Sequence, residues 1–290
     1  MEKSEAKQLL ERAREMWDAE EWLRSAELYE QVLAHYPDEG PSAMWWYDAA
    51  LAYKFLRNWA KAYELGREAA ARSPRGEQDP AFWNLGVAAT IQRDWATARD
   101  AWEGFGIPMP EGEGEINGAF GPACVRLRTG GEREVVWIQR LCPTRGRVMN
   151  VPATKGRRFG EIVVHDGEPT GERTYNGQSV AVFDELLLFE ASALPTLRAT
   201  VNAADASDVD ALVASFFAQD FGAEPASSFH MLCSCCSEGR VDRDEAGAPT
   251  HGGSQTVWLA APETEARQLL EAWATGGERG WSGLERATDQ

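Results

Sequence analysis

The side chains best suited to chemistry lie close together near the C-terminal end: His230, Cys233, Cys235 and Cys236, with His251 beyond a polar stretch. Cys233 and Cys236 form a CxxC pair, and with His230 and His251 they make up a four-ligand set for zinc. A structural zinc site normally shows two such pairs, and this chain has one. If the segment Ser227 to Cys233 continues as a strand, alternation puts Cys233 and Cys235 on one face and Cys236 on the other. Buried thiols, a zinc site and a redox thiol therefore all stay open here. The chain has 4 histidines, which leaves little imidazole for acid–base work. It has no phosphate loop, no Gly-x-Ser-x-Gly, no His-Glu-x-x-His and no dinucleotide fingerprint. The expectation is a protein that is not an enzyme and needs no cofactor, zinc being the alternative.

A second cluster is basic. Arg140, Arg145, Arg147, Lys155, Arg157 and Arg158 fall in one run that contains no acidic residue. Arg145, Arg147, Lys155, Arg157 and Arg158 are the candidates for a nucleic-acid contact, since a small β-barrel with a basic loop can bind RNA. The run reaches no aromatic residue until Phe159, which is poor material for base stacking. The competing reading is a solvated face or an internal counter-charge.

The elements that would position these groups follow from periodicity. Residues 193–290 alternate and then turn helical in the order βαββαβ, that of a ferredoxin-like α/β sandwich. The strands are expected at Pro195 to Asn202, Ser227 to Cys233, Thr256 to Ala260 and from Ser282. Helices are expected from Asp205 or Ser207 to Phe221 and from Pro262 to Thr275. Residues 111–192 open with a Gly, Pro and Glu-rich linker. Five short strands then begin near Val125, Glu134, Arg147, Gly160 and Ser179, the pattern of a small β-barrel, SH3-like or similar.

The first 110 residues are different. Pro37, Pro74 and Pro110 lie 37 and 36 residues apart, and each closes a helix-turn-helix pattern. The third unit carries Phe82, Leu85, Gly86, Trp95, Ala98, Trp102 and Pro110. The second has Trp46, Ala49, Ala50, Tyr53, Trp59, Ala62 and Pro74, and the first has Leu9, Ala13, Met16, Trp22, Ser25, Tyr29 and Pro37. Small residues let paired helices approach, and aromatics fill the space beside them. One pair cannot bury its apolar face alone, so neighbours stack.

This segment resembles the tetratricopeptide repeat family, whose period is about 34 residues. It departs from the family at Gly66, a usual aromatic position, and in its slightly long spacing. The resemblance implies a concave groove lined by Lys7, Leu10, Arg14 and Trp17, by Met44, Tyr47, Leu51 and Lys54, and by Trp83, Val87 and Thr90. Of these, Lys7, Arg14, Trp17, Tyr47, Lys54 and Trp83 are the expected partner contacts, suited to an acidic or aromatic-bearing segment. The alternative is that Trp17, Tyr47 and Trp83 pack within the chain. The fold class expected is multidomain α + β, with modules 1–110, 111–192 and 193–290.

The net charge is -17. Roughly -9 falls in 1–115, about +1 in 116–190 and about -9 in 191–290. Such a balance disfavours general binding to nucleic acid or anionic membranes. No apolar run approaches the ~20 residues of a membrane span, and no secretory leader is recognisable, so the cytoplasm is the expected location. Acidic, tryptophan-rich and without catalytic motifs, the chain resembles in general character the bacterial immunity proteins that block secreted toxins. That resemblance implies one specific protein partner, a basic toxin, drawn in by charge. An RNA- or ribosome-associated factor and a zinc- or thiol-dependent sensor remain the alternatives. The oligomeric state is open.

Overall fold

In a computed structural model, residues 1–129, 132–175, 178–226 and 253–287 are described. The chain divides into two compact units, Met1–Gly118 and Ala119–Gln290.

The first unit is six helices in three consecutive pairs: α1 (Lys3–Asp18) with α2 (Trp22–Leu33), α3 (Ser42–Phe55) with α4 (Trp59–Ala71), and α5 (Pro80–Ile91) with α6 (Trp95–Phe105). It is a tetratricopeptide-like helical repeat. The repeat is written in the backbone as well as the side chains. The turn inside each pair holds one non-glycine residue in the left-handed region: Glu20 (φ 57°), Arg57 (φ 56°) and Arg93 (φ 59°). One residue later the chain reaches the cap position, and then the tryptophan that starts the second helix. At Asn58 and Asp94 the cap side chain accepts from the N–H three residues on, of Lys61 and Thr97, which satisfies a donor the helix itself leaves open.

Small residues set the helix spacing. A Cβ on Gly86 would lie 2.6 Å from the Trp102 indole, and one on Gly104 would run into the Phe82 ring. Trp102, Phe82 and Ala101 are nearly or wholly buried as a result. Each large side chain so buried contributes about 1.5–3 kcal/mol. At Gly66, off the family pattern, an added Cβ would already touch Leu85, at 3.8 Å, so an aromatic residue there would hold α4 and α5 apart. Polar links join successive pairs: Tyr53 donates to Glu30 at 2.6 Å, Lys61 donates to Glu30 at 2.8 Å, and Tyr63 donates to Asp94 at 2.6 Å. After α6 the chain folds back along it, where Arg99 donates to the carbonyls of Pro110 and Gly114.

The second unit contains two sheets. β1 (Pro122–Thr129), β2 (Glu132–Cys142), β3 (Arg145–Val148), β4 (Ile162–Tyr175) and β5 (Gln178–Glu190) pair in sequence order, and β5 returns to pair with β1, closing the ring. The closing pair is parallel, with Val125 opposite Phe183, and the other four are antiparallel. β4 runs well past the short strand expected from Gly160. It crosses Gly167, Pro169 and Gly171 with several register shifts against β5, because bulges let a long strand pass glycine and proline. Ala123, Val125, Leu127, Val136, Ile138, Val148, Val163 and Phe183 form the interior.

The second sheet is antiparallel, in the order β7-β8-β6-β9: β6 (Thr196–Ala203), β7 (Gly222–Pro225), β8 (Gly253–Ala260) and β9 (Gly280–Arg286). Helices α7 (Ala206–Phe217) and α8 (Glu263–Ala274) pack on it through Val209, Leu212, Phe216, Ala266, Leu270 and Trp273. Among the described residues the strand after α7 is Gly222–Pro225; the strand expected at Ser227 to Cys233 lies outside the described residues. Asp208 ties the layer together: its carboxylate accepts from Arg279 at 2.6 Å and its carbonyl from the Trp273 indole at 2.7 Å. The two sheets share a seam where Val151, Phe159 and Ala260 cluster and Glu224 accepts from Asn150 and from the Val151 N–H.

Candidate partner face and basic segment

The groove residues expected on α1, α3 and α5 divide into three kinds. Trp17 and Trp83 are taken up in packing. Trp17 meets Trp22 edge-on with ring centroids 5.0 Å apart and Phe55 at 5.9 Å, while Trp83 meets Trp102 at 5.2 Å and Phe105 at 5.0 Å. Val87 and Thr90 are fully buried. Arg14, Tyr47 and Lys54 belong to a polar row with neighbours outside the expected set. Lys54 donates to the Asn84 carbonyl oxygen at 3.1 Å, and Tyr47 is hydrogen-bonded to the same Asn84. Asp48 is hydrogen-bonded to Tyr29 and lies near Arg14. Burial pushes the Asp48 carboxyl up, and the Tyr29 hydroxyl bond and Arg14 pull it back. Burial, with Asp48 adjacent, also pushes the Tyr29 phenol up. Lys7 is exposed, 3.8 Å from Glu11. Met44 and Phe55 stay about half exposed, at 49% and 47%. Asp48 and Asn84 were not anticipated. Only the helix-to-helix contacts make them neighbours of Arg14, Tyr47 and Lys54.

The basic run does not form one surface. Arg145 is fully buried, with its guanidinium 5.2 Å from the centre of the Phe189 ring. Arg157 is nearly buried and holds two carboxylates: Glu185 with a fork of two 2.8 Å bonds and Glu161 with a third of 2.8 Å. Burial pushes the Glu161 carboxyl up despite that bond. Arg126, an outward position by strand alternation, is also buried and paired with Asp184 at 2.9 Å. Arg147 and Lys155 are exposed, and Arg158 is half-buried. Lys155 and Arg158 line a cavity of about 380 Å³ together with Arg157, Pro195, Thr196, Trp258 and Arg286. The last four of these carry no local sequence signal, because they are brought in from other strands.

Near this segment His165 is fully buried, stacked on Phe183 with centroids 4.7 Å apart. Its Nδ1 lies 2.6 Å from the Asp166 carbonyl and so carries the proton and donates. Burial lowers its pKa to about 4. Cys124 and Cys142 are buried. The zinc candidates His230, Cys233, Cys236 and His251 lie outside the described residues. Among the described residues no group of three or more His, Cys, Asp or Glu side chains is placed to hold a metal ion, and no helix is long and apolar enough to cross a membrane.

No protein-family model matches the chain, and no curated protein matches it. Among solved structures, the tetratricopeptide domain of Sgt2 from Aspergillus fumigatus is similar at 24% identity over 35% of this chain and 64% of that one, with a TM-score of 0.29. A hypothetical protein from Neisseria gonorrhoeae is similar at 10% identity over 56% of this chain and 91% of that one, with a TM-score of 0.21. Overlaps this loose carry no functional argument. The helices, their turns and their packing are what make the first unit a tetratricopeptide-like repeat, joined to a second unit built of sheets.

Proposed function

We propose that this chain is a non-enzymatic protein-binding module that takes one specific partner along α1, α3 and α5. The observation that supports this most is the polar row Arg14–Asp48–Tyr47–Asn84–Lys54, which runs across three consecutive first helices. An extended segment laid across such a row meets donors and acceptors at helix-to-helix spacing. The row is less basic than its sequence suggests, since Arg14 lies beside Asp48 and Lys54 is engaged by Asn84. The acidic balance of the whole chain then dominates at long range and favours a basic partner. A secreted toxin domain fits that description, which makes a cytoplasmic immunity protein our finer reading. We read the closed five-stranded sheet as a small SH3-like barrel. The four-stranded layer we read as ferredoxin-like, a reading that its strand order and two intervening helices support.

The test is capture from the native host with the tagged chain, washed at low and high salt and read by mass spectrometry. One stoichiometric basic protein is expected, weakened by Tyr47→Ala. RNA and ribosomal proteins that leave with salt would overturn the reading in favour of the basic segment.

A further inference from the structure

The cavity of the second unit is a separate matter from the helical row, and its lining has a single sign of charge. Four of its residues are basic (Lys155, Arg157, Arg158 and Arg286) and none is acidic, in a chain of net charge -17. Arg157 is neutralised from behind by Glu161 and Glu185. Its role is to fix the loop. The other three cations are free to act on a ligand. Among the described residues Lys155 and Arg286 have no ion-pair partner, and Arg158 reaches only the Leu194 carbonyl, at 3.5 Å.

The wall that carries these cations is built before any ligand arrives. Glu134 accepts from the N–H groups of Ala153 and Thr154 at 3.0 and 2.8 Å. The Arg157 N–H donates to the Thr154 carbonyl, and Gly156 supplies the left-handed turn at φ 75°. The opposite wall is rigid sheet: Thr196 opens β6, its carbonyl accepts from the Ala287 N–H just after Arg286 closes β9, and Trp258 stands on β8. Holding like charges together in a concave site costs stability, and the loop's ties to Glu134, Glu161 and Glu185 keep them there. A loop fixed in advance lowers the ordering cost of binding an anion, and several cations lining one concave site add their attraction.

From this arrangement we propose that the cavity binds a nucleoside phosphate, with the phosphate held by Lys155, Arg158 and Arg286 and the planar base against Trp258. Guanidinium and ammonium groups are the natural recognisers of phosphate oxygens, and an indole wall offers area to a flat heterocycle. A volume of about 380 Å³ is in the range of small-molecule sites and suits one nucleotide. A polymer is disfavoured: the nearest aromatic of the basic segment, Phe159, is buried, so no second stacking position follows, and the acidic chain repels a long phosphate backbone.

Isothermal titration of the full chain with AMP, GMP, CMP, UMP and inorganic phosphate at low salt tests this. At least one nucleotide is expected to bind one-to-one and more tightly than inorganic phosphate. Lys155→Ala and Arg286→Ala should each weaken it about tenfold, the usual loss for one charged hydrogen-bonding group. Arg198→Ala, at an exposed arginine paired with Glu285 outside the cavity, should leave it unchanged. Trp258→Leu should reduce nucleotide binding and spare phosphate, while Trp258→Phe retains both. Circular dichroism and thermal melting of each variant separate loss of binding from loss of fold. The proposal is overturned if no nucleotide binds at several millimolar or if binding survives both cation variants. It is also overturned if phosphate binds as well as every nucleotide, or if only single-stranded RNA binds, with affinity rising with length.

Discussion

The two units bury different things. In the helical unit the buried polar side chains are three hydroxyls, Ser25, Ser42 and Thr90, and its charged residues lie on the surface or between half-exposed helices. In the sheet unit Arg126, Glu134, Arg145, Arg157, Glu161, His165, Glu185 and Asp208 are buried. A stack of repeats grows by adding identical apolar contacts, so small and aromatic residues suffice. A small closed sheet has little room for an apolar core, and here internal ion pairs hold its long loops in place. Such pairs are expensive to break and worth little compared with an apolar replacement of equal shape.

That contrast can be tested by size of effect. The largest is expected from Arg157→Ala, which strands Glu161 and Glu185 in the interior and should cost about 3–5 kcal/mol in chemical denaturation. Removing the exposed Arg75–Asp100 pair of the helical unit (2.9 Å, both side chains more than half exposed) should cost less than about 1 kcal/mol. Equal losses would erase the comparison.

Next comes pH. The folded-state pKa of His165 is depressed from 6.5 to about 4, so the unfolded chain binds its proton first. Its stability contribution is whole above pH 6.5 and is lost as pH falls toward 4, by about 3 kcal/mol in all. His165→Phe should remove about one proton from the slope of stability against pH in that window. Asp48 has the opposite sign: its carboxyl is raised, so its contribution is present below the ordinary carboxylate range and is lost as pH rises through the raised pKa.

Gly86→Val sharpens the picture of the helical unit. The added carbons meet Trp102 inside van der Waals distance, and overpacking of this kind costs about 1–3 kcal/mol, seen as a lower melting temperature of the repeats. The smallest effect is a gain. Glu20 holds a left-handed backbone at φ 57°, and Glu20→Gly should relieve about 0.5–1 kcal/mol of strain. A loss there would mean that the Glu20 side chain matters more than its backbone.

The amino-acid sequence by itself determined the helical unit. Pro37, Pro74 and Pro110, the turn tryptophans Trp22, Trp59 and Trp95, and the small residues Ala13, Ala50 and Gly86 recur at one period, and each acts on neighbours within about forty residues along the chain. It also located most strands of the second unit through their alternation, though β4 runs beyond its expected end. Tertiary structure alone decided which charges face water. Arg145, Arg157 and Lys155 look alike in a basic run, yet the first two are interior and the third lines a cavity, because Phe189, Glu185 and Arg286 arrive from other strands. Likewise Trp17 and Trp83 look like groove residues until Phe55, Trp102 and Phe105 claim their faces. Periodicity reports which side of its own helix or strand a residue occupies. What stands opposite is fixed only when distant segments pack, and for a charge that partner decides between solvent, salt bridge and binding site.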